Sequence, residues 1–166
     1  MLVKELYSRL EKSEIFENFQ AVNSDAFLCA GFFILNFKNN TAQYALDFRN
    51  DKQIFTFDFP TTSSGDITMK VDDLLPAPKP LDKISLDIQV DIEDLKEIVE
   101  KQLAINNIKN KLEEVIAVLQ NLEGQVVWNL TIMCEGFVII NAIIHSETAG
   151  ILKFEKKNLL DFVKKK

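Results

Sequence analysis

Residues 25–37 read DAFLCAGFFILNF, and this nearly unbroken apolar run decides how the chain must fold. Cys29 and Gly31 stand two positions apart near its middle. A membrane-spanning helix needs about 18 or more apolar residues, whereas this run breaks at Asn36 and is followed by the polar residues 38–40. We therefore predict the first long strand of a sheet, buried on both faces over part of its length and bent or bulged at Gly31.

Shorter strands follow this run, because apolar and polar residues alternate over 43–48 and 53–59. The connections at 38–41 and 49–52 have the length and the Asn and Asp content of hairpin turns. Residues 67–71 favour one more strand. The pattern predicts an antiparallel meander.

Helices are predicted before the meander. Leu2, Leu6 and Leu10 lie on one helical face, and Ser13 is a typical N-cap for a second, shorter helix. We therefore expect the first twenty residues to be helical.

A proline-rich stretch separates two parts of the chain. Three prolines alternate with other residues in LLPAPKP, residues 74–80, which removes hydrogen-bond donors and favours an extended backbone. The expected organisation is a helix plus meander over 1–73, a connector over 74–81, and helices with a second meander over 82–166. At 166 residues, these parts are expected to form one compact unit.

The second part is predicted to begin with two helices. Asp91 is the expected N-cap of a helix over 91–104. Apolar spacing predicts a second helix over 108–122, which Gly124 ends. Three strands and a short C-terminal helix complete this part, over 125–133, 137–144, 151–154 and 158–163.

The two parts echo each other in sequence. CAGFFILN at 29–36 matches CEGFVIIN at 134–141 in its Cys, Gly, Phe, Ile and Asn residues. Either the chain contains a duplicated helix-plus-three-strand unit, or two apolar strands match by chance. The predicted fold class is α+β in both cases: antiparallel meanders packed against helices, as two similar halves of one sheet or core if the duplication is real. Whether Cys29 and Cys134 lie close together stays open.

The second part also resembles a known family. The predicted helix at 91–104, the strand VVWNLTI at 126–132 with Trp128, the strand FVIINAII and the turn HSETAGIL at 145–152 resemble the layout of PepSY-type domains. These domains are small helix-plus-antiparallel-sheet modules. The layout of the whole chain is similar to that of small archaeal proteins without an assigned activity. These resemblances imply a fold and no particular function.

Composition argues against several classes of partner and compartment. The net charge of −6 argues against nucleic-acid binding, which requires clustered cations. The segment Met1–Glu5 lacks the layout of a signal peptide, since charged residues interrupt it. We therefore expect a cytoplasmic protein without membrane insertion, in which both cysteines are free, buried thiols.

The sequence offers little catalytic chemistry. His145 is the single histidine, the two cysteines are more than a hundred residues apart, and no glycine-rich phosphate loop is present. We predict no catalytic, cofactor-binding or metal-binding residues, and hence a protein that is not an enzyme.

Two classes of function remain open. The first is an interaction module that binds a protein or peptide through an exposed edge or open face of its sheet, or a second copy of itself through a sheet edge. The second is a carrier or sensor that holds a small apolar ligand between sheet and helices. The residues predicted to line such a cavity are Phe27, Phe32, Phe33, Phe55, Phe57 and Phe137.

Overall fold

One antiparallel sheet of eight strands runs through the described chain. The structure is a computed structural model that describes residues 1–62, 64–74 and 81–158. The helices are α1 (Val3–Glu11), α2 (Glu14–Val22) and α3 (Leu95–Ile105), and a 3₁₀ turn at Ile92–Asp94 leads into α3. The strands are β1 (Phe27–Asn36), β2 (Thr41–Arg49), β3 (Gln53–Asp58), β4 (Thr68–Asp73), β5 (Leu112–Leu122), β6 (Gln125–Cys134), β7 (Val138–His145) and β8 (Ile151–Asn158). The fold is α+β and dominated by its sheet.

The order of the strands divides the sheet into two meanders. Across the sheet they run β4-β3-β2-β1-β5-β6-β7-β8, so each meander is wound outward from a first strand at the centre. The two first strands, β1 and β5, pair antiparallel, with Ile34 opposite Ile116. A helical segment followed by four strands therefore occurs twice in the described chain.

The predicted helix over 108–122 is wrong, because most of this segment is strand β5. Val115, Ala117 and Leu119 are buried against the helices, whereas the intervening Ile116 and Val118 point to the other face. The β-branched side chains suit a pleated surface. Since β5 pairs with β1 on one side and β6 on the other, these partners override a spacing that also fits a helix.

The sequence echo does not join equivalent positions. CAGFFILN belongs to β1, whereas CEGFVIIN spans the end of β6, its turn and the first part of β7. In the repeated topology β1 corresponds to β5, and β7 corresponds to β3. The repeated unit in the structure is therefore a helical segment plus four strands, rather than plus three.

The two cysteines lie far apart. Ala30, next to Cys29, pairs with Gln120 near one end of β5, whereas Cys134 pairs with Leu112 at the other end. At about 3.4 Å per residue, these levels of the sheet are roughly 27 Å apart. Both thiols are free and buried, and this spacing excludes a disulfide between them.

Aromatic packing fills the core between the helices and one face of the sheet. The ring of Phe16 on α2 meets the ring of Phe57 at 5.5 Å. At the centre of the sheet, the ring of Phe33 lies 5.6 Å from that of Trp128. Because Phe33 is in β1 and Trp128 in β6, this contact joins the two meanders in one core.

Gly31 has a different role from the predicted one. The bulge in β1 lies at Cys29, between Leu28 and Ala30. A Cβ atom at Gly31 would stand 2.7 Å from two ring carbons of the buried Phe33. The missing side chain therefore makes room for an aromatic ring.

Two predicted helix caps are confirmed. The Ser13 side chain accepts a hydrogen bond from the Phe16 amide. Asp91 precedes the 3₁₀ turn, and its carboxylate also accepts a hydrogen bond from the Val3 amide at 2.9 Å. Asp91 therefore ties the start of α1 to the helical segment of the second half.

Two predictions fall mainly outside the described residues. Residues 75–80 of the proline-rich connector are not described. Asn158 is the last residue of β8, and the remainder of the helix predicted over 158–163 is not described. Among the described helices, none combines the length and the apolar character that a bilayer crossing requires.

Candidate interaction surface

The face of the sheet turned away from the helices forms the candidate site, and we call it the open face. Its residues alternate along each strand with the fully buried residues that pack against the helices. On β1, β5, β6 and β7 it carries an apolar band, of which Phe32 is the most exposed member at 39%. The band consists of Phe32, Ile34, Ile116, Val118, Met133, Ile139 and Ile143.

The register brings the band together. Phe32 pairs with Val118, and Ile34 pairs with Ile116. Antiparallel sheets with one face on the core usually present polar residues on the other face. Asn129 of β6 separates Val118 from Ile143 in the same row, so the members on β1 and β5 form the continuous part of the band. An exposed apolar patch is typical of a contact site.

An acidic flank borders the band on β2, β3 and β4. It comprises Asp47, Asp58 and Asp72, with Lys70 among them. The Lys70 ammonium lies 3.5 Å from the Asp58 carboxylate. This side of the open face therefore carries three carboxylates, one lysine and the nearly buried Arg49.

Asp47 is the least solvated of these acids. Burial raises the pKa of its carboxyl, a hydrogen bond with Thr56 opposes that shift, and repulsion from Asp58 and Asp72 adds to it. One carboxylate oxygen of Asp47, Oδ1, is buried without a hydrogen-bond partner. The charged form of this carboxyl is therefore less stable here than in water.

A basic flank borders the band on β8. It comprises Lys153 and Lys157, with Glu155 between them. The Lys153 ammonium lies 3.6 Å from the Glu155 carboxylate. The open face thus carries apolar residues together with Glu114, Asn129 and Thr131 at its centre, an acidic flank on one side and a basic flank on the other.

The outer edges of the sheet carry charges. The edge strand β4 includes Lys70, Asp72 and Asp73, and most of its residues are exposed. The opposite edge strand, β8, includes three lysines and a glutamate. Charged edge strands resist the addition of another strand, so the open face is the better candidate surface than either edge.

The phenylalanines predicted to line a ligand cavity do not meet. Phe33, Phe55 and Phe57 are buried in the core, whereas Phe32, adjacent to Phe33, lies on the opposite face. This separation follows from the alternation of side chains along a strand. The remaining two are Phe27, which lies under the Arg49 guanidinium at 4.7 Å, and Phe137, which is 79% exposed in the β6–β7 turn.

Cavities in the described part of the chain lie elsewhere. One of about 340 Å³ opens beside α3, where Phe37, Leu103, Ile108 and Leu112 line it and Lys96 stands nearby. Another, of about 240 Å³, lies beside α2 next to Phe16 and Phe48. Neither is lined by the six predicted residues.

The contacts of Cys29 and His145 stabilise the fold. The Cys29 thiol donates to the Asp47 carbonyl at 3.4 Å, and burial raises its pKa to about 12. Nδ1 of His145 accepts hydrogen bonds from the amides of Glu147 and Thr148, at 3.2 Å and 3.4 Å, and so shapes the turn after β7. Within the described ranges, no cluster of three or more His, Cys, Asp or Glu residues is placed to hold a metal ion.

The sequence did contain a signal for the open face. Val115, Ile116 and Val118 are β-branched, and β-branched residues are enriched in strands. Because residues 108–122 were predicted to be a helix, Ile116 and Val118 were not expected on the face of a sheet. They form the middle of the band.

Comparison with known proteins defines the class of fold. No protein-family model matches the chain, and a search of curated proteins found no match. Among solved structures, a "putative lipoprotein" from Clostridium difficile aligns with a TM-score of 0.57 and 15% identity, over 87% of this chain and 91% of that one. At this identity the likeness shows a shared fold: a sheet-dominated α+β protein.

Proposed function

We propose that the chain is a non-enzymatic interaction module that binds a protein on its open face. The observation that carries the proposal is the apolar band on β1, β5, β6 and β7, in which Phe32 is 39% exposed and the other members are half-buried. Protein interfaces typically combine an apolar centre with a polar rim. The band and its charged flanks have this arrangement.

The mode of binding is contact through the face rather than strand addition. Charged side chains on β4 and β8 oppose the pairing of a further strand at either edge. A second sheet or a helix laid on the open face would cover Phe32, Ile116 and Val118 without breaking any hydrogen bond of this sheet.

The proposal includes a PepSY-like second half and a cytoplasmic location. The Trp128-bearing strand β6 followed by the β7 hairpin supports the first. The two free, buried thiols, held far apart, fit a reducing compartment and support the second.

Photo-crosslinking in the native host tests the proposal. A photoreactive phenylalanine analogue replaces Phe32, and a matched variant carries it at Val22, which is 82% exposed on α2. We expect a discrete protein adduct from position 32, lost when Ile116→Lys is added, and no such adduct from position 22. Equal or absent adducts at both positions would contradict the proposal.

The cavity beside α3 favours a carrier as the second candidate. Its volume of about 340 Å³ suits a small ligand, and its walls combine apolar residues with Lys96, Glu100 and Lys111. Native mass spectrometry of the purified chain would then show a bound small molecule that is lost in Ala104→Trp, which fills the cavity from its wall, and retained in Ile105→Trp. A bare mass for the wild-type chain argues against the carrier.

A further inference from the structure

We infer that the ligand of the cavity beside α3 is a small carboxylate with an apolar tail, bound with the tail inside and the carboxylate at the mouth. The inference rests on the carrier function, since it names the ligand class of the same cavity. The cavity lies on the helix side of the sheet, where α3 packs on the core, so it is separate from the open face.

The inner part of the cavity is apolar. Leu103 on α3 and Leu112 at the start of β5 are both buried and form its inner wall. Phe37 and Ile108 are half-buried and pack against the same core. An alkyl tail placed against these side chains is removed from water. The inner part therefore suits the tail of the ligand.

The mouth of the cavity carries two ammonium groups and one carboxylate. Lys96 and Glu100 on α3 and Lys111 in the following loop line the cavity, and all three are exposed. The Lys96 ammonium lies 3.8 Å from the Glu100 carboxylate and 5.3 Å from the centre of the Phe37 ring. The charge of Lys96 therefore offsets that of Glu100.

Lys111 supplies the positive charge that remains. Its ammonium forms no ion pair within the part of the chain that the structure describes, and the nearby Glu113 is paired with Lys38 at 3.8 Å. The amide of Glu135 donates to the Lys111 carbonyl at 2.8 Å, but Glu135 does not line the cavity. The Lys111 ammonium is therefore available to an anion.

The C-terminal end of α3 does not present free carbonyl groups to the ligand. The last carbonyls of a helix carry partial negative charge, which would repel a carboxylate. Here the carbonyls of Gln102, Leu103 and Ala104 accept hydrogen bonds from the amides of residues 106–108, so the turn after α3 satisfies them. The charged side chains at the mouth therefore determine which ligand is favoured.

These side chains favour a carboxylate over a neutral or cationic ligand of the same shape. A neutral ligand would cover the Lys111 ammonium without pairing it, which is unfavourable for a charged group. A cation would lie close to two ammonium groups. At about 340 Å³, the cavity is near the lower limit for a small-molecule site, so the tail is short.

Three probes with the same short alkyl tail test the inference: hexanoate, hexanol and hexylammonium. Each is titrated into the full wild-type chain, and proton–nitrogen correlation spectra follow the backbone amides of Ile108 and Lys111. We expect hexanoate to bind at least about 5-fold more tightly than hexanol, as a favourable exposed ion pair allows. Hexylammonium should bind more weakly than either. The advantage of hexanoate should shrink as salt is added.

Variants at the mouth and the wall locate the binding. Lys111→Gln should weaken hexanoate binding about 5-fold and leave hexanol binding unchanged. Lys109→Gln is the matched control, because Lys109 lies in the same loop but does not line the cavity, and it should leave both affinities unchanged. Ala104→Trp should abolish binding of every probe, whereas Ile105→Trp should not. Circular dichroism checks that each variant is folded.

Equal affinities for hexanoate and hexanol, or tighter binding of hexylammonium, would overturn the inference. An advantage of hexanoate that Lys111→Gln leaves intact would overturn it as well. If native mass spectrometry shows a bound molecule that Ala104→Trp removes, while hexanoate has no advantage, the inference fails and the carrier function stands. If no molecule co-purifies and no probe binds, both fail, and the function proposed for the open face is unaffected.

Discussion

Asp47 shows how one residue on the open face links solvation to stability. Its carboxyl sits among β-strands with one oxygen lacking a partner, and burial raises its pKa above the ordinary value of 3.8. A carboxyl whose pKa is raised on folding binds its proton more tightly in the folded chain. The ionised form therefore opposes folding at neutral pH.

We predict that Asp47→Asn stabilises the chain at pH 7 by about 1 kcal/mol, the order of magnitude of an unsatisfied buried polar group. Below the ordinary carboxyl pKa of 3.8, Asp47 is protonated in both folded and unfolded chains, so the advantage should vanish. It should grow as pH rises through the folded-state pKa. Urea unfolding of both proteins across this pH range measures the difference.

Asp66→Asn serves as the control, because Asp66 is exposed in the connection before β4. Its effect should stay within about 0.5 kcal/mol at every pH. Equal stability of wild type and Asp47→Asn at pH 7 would show that solvent reaches the carboxylate.

At the level of single residues, the sequence predicted the surroundings of only some candidate residues. Alternation of side chains places Phe32 and Phe33 on opposite faces, so a list of phenylalanines chosen by residue type could not define one cavity. The buried state of Cys29 agrees with its apolar neighbours in the sequence. The unsatisfied oxygen of Asp47 depends on the strands beside it, which the sequence does not specify.

Among the elements, β1 depends on the absence of a side chain at Gly31. The Phe33 ring occupies the space where a Cβ atom would stand, at 2.7 Å from two ring carbons. Phe33 is itself completely buried, so its ring has little room to move. We predict that Gly31→Ala costs about 1 to 3 kcal/mol of stability, as overpacking in a core does.

Denaturant unfolding of Gly31→Ala tests this prediction, with Gly124→Ala as a comparison. Gly124 has nothing within 4 Å of its would-be Cβ, but its φ of +87° disfavours a side chain. The two variants thus separate a steric clash from backbone strain. Restoration of Gly31→Ala by Phe33→Leu would identify the ring as the cause, and failure to restore would locate the cost in the backbone.

The segment before α3 is held to the sheet by β6. The indole N–H of the buried Trp128 donates to the Val90 carbonyl at 2.8 Å. We predict that Trp128→Phe destabilises the chain by about 2 kcal/mol, because it removes this hydrogen bond and leaves a small cavity. Hydrogen exchange should show faster exchange at Gln89 and Val90, whose amides bond to the Ser146 carbonyl, and unchanged exchange there would place the loss elsewhere.

For helices and strands, the spacing of apolar residues predicted the structure correctly where it fitted only one kind of element. The alternation in 43–48 and 53–59, and the apolar stripe of the first helix, correspond to observed elements. The segment 108–122 combines apolar residues at helical spacing with β-branched residues, and pairing with β1 and β6 decides in favour of a strand. Such pairing is a contact over long sequence distance, which local spacing cannot report.

The whole molecule should unfold as one unit, because the two meanders share a sheet and a core. Trp128 belongs to the second meander and reports its unfolding by fluorescence, whereas Leu46 is buried in β2 of the first. We predict that Leu46→Ala lowers the unfolding free energy by about 2 to 5 kcal/mol. Trp128 fluorescence and far-ultraviolet circular dichroism should report the same shift.

Two separate transitions, with the Trp128 signal unchanged by Leu46→Ala, would show that the meanders unfold independently. Coincident transitions are the accepted sign of two-state behaviour. The prediction of one compact unit over 1–73 and 82–166 is tested directly by this comparison.

The central position of β1 has a consequence for synthesis of the chain on the ribosome. β1 is made early, yet its partner β5 begins at Leu112, roughly 76 residues after β1 ends at Asn36. At about 5 to 20 residues per second, the apolar strand stays unpaired on one side for roughly 4 to 15 s. During that interval the nascent first half is open to pairing with a neighbouring chain on the same messenger RNA, and a slower stretch of translation before Leu112 would lengthen this exposure.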